Sequence, residues 1–132
     1  MAFRFEFDAA NEILLMRFEG KLTDESLTEA LWAIRECSIR TDASAGIWDF
    51  TAVTEYGVSP EFLSYTASRE PAMPGATQRP RYVVVPVAFG LGISRMYEIA
   101  AGPTNPLLRF VLSVSEALAA LGVQSPHFEP LA

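Results

Sequence analysis

The chain has 132 residues, half of them hydrophobic and a fifth charged, with a formal net charge of −6. That is enough for one domain with a real core and too little for two, and the acidic balance, with ten scattered basic residues, excludes nucleic acid and anionic membranes as expected partners. The lone Cys37 excludes an internal disulfide; with no signal-peptide pattern after Met1 and no apolar run long enough for a bilayer, the expected location is cytoplasmic, without membrane insertion.

Phe3, Phe5 and Phe7 alternate with Arg4, Glu6 and Asp8, the period of a strand with one buried face. Ala9 to Glu12 turns the chain into a second strand, Ile13 to Glu19, so the two form an antiparallel hairpin with the first strand at the sheet edge. Thr23 is an N-cap, with Asp24 and Glu25 in the first helical turn, where the dipole favours anions. Leu27, Ala30, Leu31 and Ile34 follow at helical spacing, which leaves Trp32 off the buried stripe. Ala45 to Phe50 is a third strand. Ser59-Pro60-Glu61 opens a second helix: cap, proline at the first helical position, then an acid.

Pro71 to Pro80 breaks that helix and forms a long loop, a candidate flap. Arg81 to Val87 lacks alternation, as a central strand covered on both faces does. Phe89 leads through Gly90 and Gly92 into a third helix, which Gly102-Pro103 ends. Leu108 to Leu112 is the fifth strand. Ser113 and Glu116 form a capping box for the last helix, which Gly122 stops. Residues 123–132 read as an irregular tail after a domain spanning 1–122.

The order β-β-α-β-α-β-α-β-α predicts an α/β fold: a single mixed β-sheet whose N-terminal antiparallel hairpin is followed by βα repeats with parallel strands. Leu14, Met16, Phe18, Leu31, Ile34, Ile47, Leu63, Val83, Val85, Met96, Phe110 and Leu118 are the expected core.

Three segments resemble the STAS family (sulfate transporter and anti-sigma factor antagonist), in its SpoIIAA-like branch. Phe18-Glu19-Gly20-Lys21-Leu22-Thr23 is similar to the family's entry to its first helix, and Asp49-Phe50-Thr51-Ala52-Val53-Thr54 to its Asp-Leu-Ser-Gly-Val-Thr strand exit. Phe89-Gly90-Leu91-Gly92-Ile93-Ser94-Arg95-Met96-Tyr97, with Arg109-Phe110 and Ser115 to Leu118 following, resembles the STAS/SEC14-like branch. The resemblance implies sequential strand order after the hairpin and a non-catalytic regulatory or protein-interaction role. In the family's switch members a kinase phosphorylates a serine in an Asp-Ser-Ser-Gly segment at the start of the second helix. Gapless alignment from Asp49 puts Ser59 on that serine, with Gly57, Val58 and Pro60 in place of its neighbours.

The candidate switch or partner-binding residues are therefore Asp49, Thr51, Thr54, Glu55, Tyr56 and Ser59, on a loop running from 51 to 59. Ser59 is a cap, or a cap that also accepts phosphate. In either role an acid at 59 is expected to be tolerated, because a helix N-terminus attracts anions. Asp49 either accepts backbone N–H bonds from the following residues or orients Thr51, Ser59 or a partner. The alternative is a small-molecule binder for an apolar or anionic ligand, with Gly90, Gly92 and Arg95 at a helix mouth and the flap and Trp48, Tyr56 and Tyr97 enclosing the ligand. His127 and Cys37 make no metal site or catalytic pair, so no metal, no cofactor and no catalytic residue is expected. The expected partner is a protein. A homodimer is also expected, through Trp32 or through strand pairing at Phe3, Phe5 and Phe7.

Overall fold

A computed structural model describes residues 3–62, 65, 79–85 and 107–131. The strands are β1 (Phe3–Asp8), β2 (Ile13–Thr23), β3 (Ala45–Gly57), β4 (Arg81–Val84), β5 (Leu108–Val111) and β6 (Glu129–Pro130), with helices α1 (Asp24–Thr41) and α2 (Val114–Ala120). They form one six-stranded mixed sheet in the order β5-β4-β3-β2-β1-β6. β1 runs antiparallel to β2 and β6, and β2 to β5 are parallel. The α/β class, the hairpin, the parallel order after it and the interior position of β4 are as the alternation of elements predicts.

Each face of the sheet has its own core. Leu14, Met16 and Phe18 of β2 and Trp48 of β3 pack with Leu27, Ala30 and Ile34 of α1. On the opposite face, Ile13, Leu15, Ile47, Val84 and Val111 pack against Ala117 of α2. Alternation within β2 thus feeds both layers, which is why its first four residues are all buried. Of the expected core, Leu14, Met16, Phe18, Ile34, Ile47 and Val85 are buried, whereas Leu31, Val83, Phe110 and Leu118 are half-buried. Leu63 and Met96 lie outside the described side chains.

The chain end departs from the expected irregular tail. Glu129 and Pro130 pair with Phe7 and Glu6, and the Leu131 N–H donates to the Phe5 carbonyl. The first strand is therefore not the edge, and β6 supplies a sixth strand. The tail is held by a residue at the other end of the sequence. The Asp8 carboxylate, buried at the end of β1, accepts from the Asn11 N–H, from Asn11 Nδ2 and from the His127 N–H. One side chain thus closes the β1–β2 turn and pins the tail.

The helix ends follow their sequence signals. Thr23 Oγ1 accepts from the Ser26 N–H while Ser26 Oγ accepts from the Thr23 N–H, a reciprocal capping box. Ser113 Oγ accepts from the Glu116 N–H, but the Glu116 carboxylate reaches past the cap to the Leu112 N–H.

Gly46 is fixed by a close approach rather than by a turn. A Cβ there would collide with the six-membered ring of Trp48, which lies back across the same face of β3. Gly46→Ala is therefore expected to destabilise the domain by about 1–3 kcal/mol through overpacking. Urea unfolding of the variant beside Gly46→Ala/Trp48→Phe checks this. The smaller ring in the double variant should return part of the loss.

Candidate functional site: a parallel ribbon ending in two helix starts

The segment expected as a loop is mostly strand. β3 continues to Gly57 and β2 to Thr23, and the two stay paired through Thr23↔Gly57. The described partners on either side stop earlier, β1 at Phe3↔Phe18 and β4 at Asp49↔Val84. A two-stranded parallel ribbon thus projects from the carboxyl end of the sheet. The 51–59 loop expectation is corrected to residues 51–57 of β3 followed by Val58 and Ser59. Polar composition concealed the strand: Thr51, Ala52, Thr54 and Glu55 are exposed, and only Val53 is buried. The ribbon needs few apolar residues because it rests on the α1 core through Leu22, Val53, Val58 and half-buried Tyr56.

Two register shifts bend the ribbon, between Arg17 and Glu19 and between Gly20 and Lys21. Asp49 shapes the first. Its carboxylate is buried, with Oδ1 accepting from the Thr51 N–H at 2.9 Å and from Thr51 Oγ1 at 2.6 Å. The other oxygen accepts from the Arg17 guanidinium at 3.2 Å, and Arg17 donates to Glu6 at 2.8 Å. Such a short-range side-chain bond to the backbone two residues on displaces a ladder bond and creates a bulge. Asp49 therefore accepts the backbone N–H of the following segment and also holds the Thr51 hydroxyl, while Ser59 bonds to Asp24 instead. Gly20, at φ 88°, takes up the second shift in a conformation that side-chain-bearing residues rarely adopt.

At the ribbon tip, adjacent parallel strands deliver adjacent helix starts. Thr23 leads into α1, and Ser59 leads into the helical turn at Pro60–Phe62. Ser59 Oγ accepts from the Phe62 N–H at 3.2 Å, the cap expected from Ser-Pro-Glu. The same residue is clamped from across the ribbon. Asp24 Oδ1 accepts from the Ser59 N–H at 2.9 Å, and Asp24 Oδ2 accepts from the Ser59 hydroxyl at 3.0 Å. The hydroxyl proton is thus committed to Asp24 and its lone pair to the helix. Burial, then the nearby Asp24 charge, push the Tyr56 phenol above its ordinary range, so it stays neutral at physiological pH.

Asp24 is the member of the candidate site that sequence reasoning placed only as a dipole partner. Topology held the signal: once β2 and β3 are parallel neighbours, the first turn of one following helix lies beside the cap of the next. Glu55 and Thr54 lie on the exposed strip, with Glu55 3.7 Å from Lys21 in a surface ion pair. Gly90, Gly92, Arg95, Tyr97 and the 71–78 part of the flap lie outside the described residues. Trp48 is a core residue, packed over Gly46 and committed to the α1 layer. Among the described residues no cluster of three His, Cys, Asp or Glu could hold a metal, and no helix is long and apolar enough to cross a membrane.

No protein-family model matches the chain, and no curated protein matches it. The reading of the site therefore rests on its geometry.

The clamp changes one expectation about Ser59. An acid at 59 would still cap the Phe62 N–H, but it would stand against the Asp24 carboxylate. Ser59→Asp is accordingly expected to lose about 1–2 kcal/mol, as a like-charge contact of this length implies near a surface. Ser59→Asp/Asp24→Asn should recover most of that loss. Thermal unfolding of the three proteins checks the sign. A Ser59→Asp variant as stable as wild type would mean that the clamp is not maintained in solution.

Proposed function

We propose that this chain is a non-catalytic regulatory or protein-interaction module of the STAS, SpoIIAA-like kind, acting in the cytoplasm through the β3 strip and helix start at 51–59. The observation that carries the reading is the double use of the Ser59 hydroxyl, as cap of one helix and ligand of Asp24 on another. A carboxylate holding a serine proton polarises that oxygen toward an incoming electrophile. A phosphate placed there would then face Asp24, and the two negative groups would separate the helix starts. The exposed side chains of Thr51, Thr54 and Glu55 would report the change to a bound protein. A dimer would present two such strips in one particle.

Mass spectrometry of the intact protein recovered from its own cells tests this directly. Phosphate on Ser59, or a stoichiometric protein partner lost in Ser59→Asp and kept in Ser59→Ala, is the expected result. Unmodified protein, with partners indifferent to both variants, would reduce Ser59 to a cap. The alternative small-molecule reading rests on Gly90, Gly92 and Arg95; a bound organic molecule in the same spectra would favour it.

A further inference from the structure

The tail crosses the β1 side of the sheet as a strap. Half-buried Phe128 packs with the core on the α2 face, and half-buried Leu131 packs with the core on the α1 face. Between them Glu129 and Pro130 are exposed and hold two rungs of β1, against the six that β2 holds on its other side. The Leu131 N–H donates to the Phe5 carbonyl, so Phe5 directs its backbone groups toward the strap, and alternation makes Phe3 and Phe7 do the same. Pro130 stands opposite Glu6, where the backbone groups of the two strands point away from each other. Its missing N–H therefore costs no bond to β1 and offers no donor to a strand outside, so the strap terminates the sheet.

Beneath the strap, β1 is complementary to itself. Phe3, Phe5 and Phe7 lie half-buried on the α1 face, and Arg4 and Glu6 alternate onto the other. A second β1 laid antiparallel about Phe5 sets Phe5 opposite Phe5, Phe3 opposite Phe7 and Arg4 opposite Glu6, the last two made twice. Residues opposite each other in an antiparallel pair share a face, so ring meets ring and acid meets base. Moving the centre to Arg4 or Glu6 opposes like charges, and a slip of one residue sets phenylalanine against charge. Arg4 already pairs with Glu19 and Arg17 with Glu6, each at 2.8 Å. The new contacts would join these pairs into one chain of alternating charge running from Glu19 and Arg4 of one copy to Glu6 and Arg17 of the other.

We infer that the strap is an autoinhibitory cover on a dimerisation edge: when it leaves β1, the β1 of a second copy takes its place, antiparallel about Phe5. Strap and second copy use the same backbone groups of Phe5 and Phe7, so they exclude each other. Both copies must open, so the apparent affinity is reduced by the fraction of open strap in each. Loosening the strap then tightens the dimer without adding any contact. A six-residue strand is about 20 Å long, and its edge buries less than the ~800 Å² per partner of a standard interface. The dimer is therefore reversible and weakens as salt rises. It does not involve Ser59, and it stands whether Ser59 is a switch or only a cap.

Sedimentation equilibrium of the full chain from low micromolar to millimolar concentration, at low and high salt, tests the proposal. Leu131→Pro removes the N–H held by Phe5, and His127→Pro removes the N–H held by Asp8; neither alters β1. Each should lower the dissociation constant at least tenfold relative to wild type. In the Leu131→Pro background, Arg4→Glu and Glu6→Arg should each raise it at least tenfold. An equimolar mixture of those two chains, and a chain carrying both charge changes, should dimerise again, because each restores an acid opposite a base. Thermal unfolding establishes that every variant is folded; should Leu131→Pro unfold the chain, His127→Pro or wild type at millimolar concentration carries the same charge comparison. Wild type and strap variants that all stay monomeric at millimolar concentration overturn the inference. So does a dimer no tighter in the strap variants than in wild type, or one that ignores the charge changes, either of which would point to a different interface.

Discussion

Phe18→Ala is expected to cost about 3–5 kcal/mol and to lower the melting temperature on the order of 10–20 °C. The Phe18 ring is 0% exposed and sits at the last rung where β1, among the described residues, accompanies β2. It stacks on Phe3 of β1 with centroids 6.4 Å apart and tilts against Phe50 of β3 at 5.9 Å, and Phe3 meets Phe5 edge-on at 5.9 Å. These rings come from three paired strands, so none can move into a vacated volume without breaking ladder bonds. The cavity stays open, and the loss should approach the upper end of the range for aromatic truncation. Phe18→Leu, which refills most of the space, should cost less than half as much. Urea denaturation with an unchanged slope checks both. A loss below 1 kcal/mol for the alanine variant would show that the aromatic layer rearranges.

The second large effect is acid sensitivity through Asp8. Burial alone would push this carboxyl up, but the Asn11 side chain and the backbone N–H groups of Asn11, His127 and Ala10 together hold it below its ordinary value. A folded-state pKa below the unfolded one stabilises the fold fully above the unfolded value of about 4, and that contribution is lost as pH falls through the folded pKa. Wild type should therefore lose stability on acidification below about pH 4. Asp8→Ala should lose about 2–3 kcal/mol at neutral pH, the range of a charge-assisted hydrogen bond, and show a flatter acid limb. Because His127 is one of the donors, the variant should also release the tail. Faster amide exchange at Leu131, whose N–H donates to Phe5, reports this separately from global unfolding.

These two residues show how unevenly the sequence encodes its fold. The alternation at Phe3 to Phe7 and Leu14 to Phe18 is enough to place a hairpin, and strict alternation of strands and helices is enough to make the rest of the sheet parallel. Thr23, Ser59 and Ser113 announce their helices because capping chemistry is local. By contrast, Glu129-Pro130 has no strand signal. Its pairing comes from a buried carboxylate far away in the chain. The extension of β3 through Gly57 was hidden in the same way, because a ribbon held by Val53 and Val58 on one helix shows neither full burial nor strict alternation.

The candidate site divides along the same line. Ser59 as a cap, and Asp49 as a carboxylate bonded to the next turn of chain, are statements about neighbours in sequence, and sequence alone determined them. That Ser59 also belongs to Asp24 and that Arg17 closes the other side of Asp49 are statements about residues brought together across strands. Only the register between parallel strands could decide them. Hydrogen-bond and capping preferences act over three or four residues, whereas the parallel β2–β3 pair joins positions more than thirty apart.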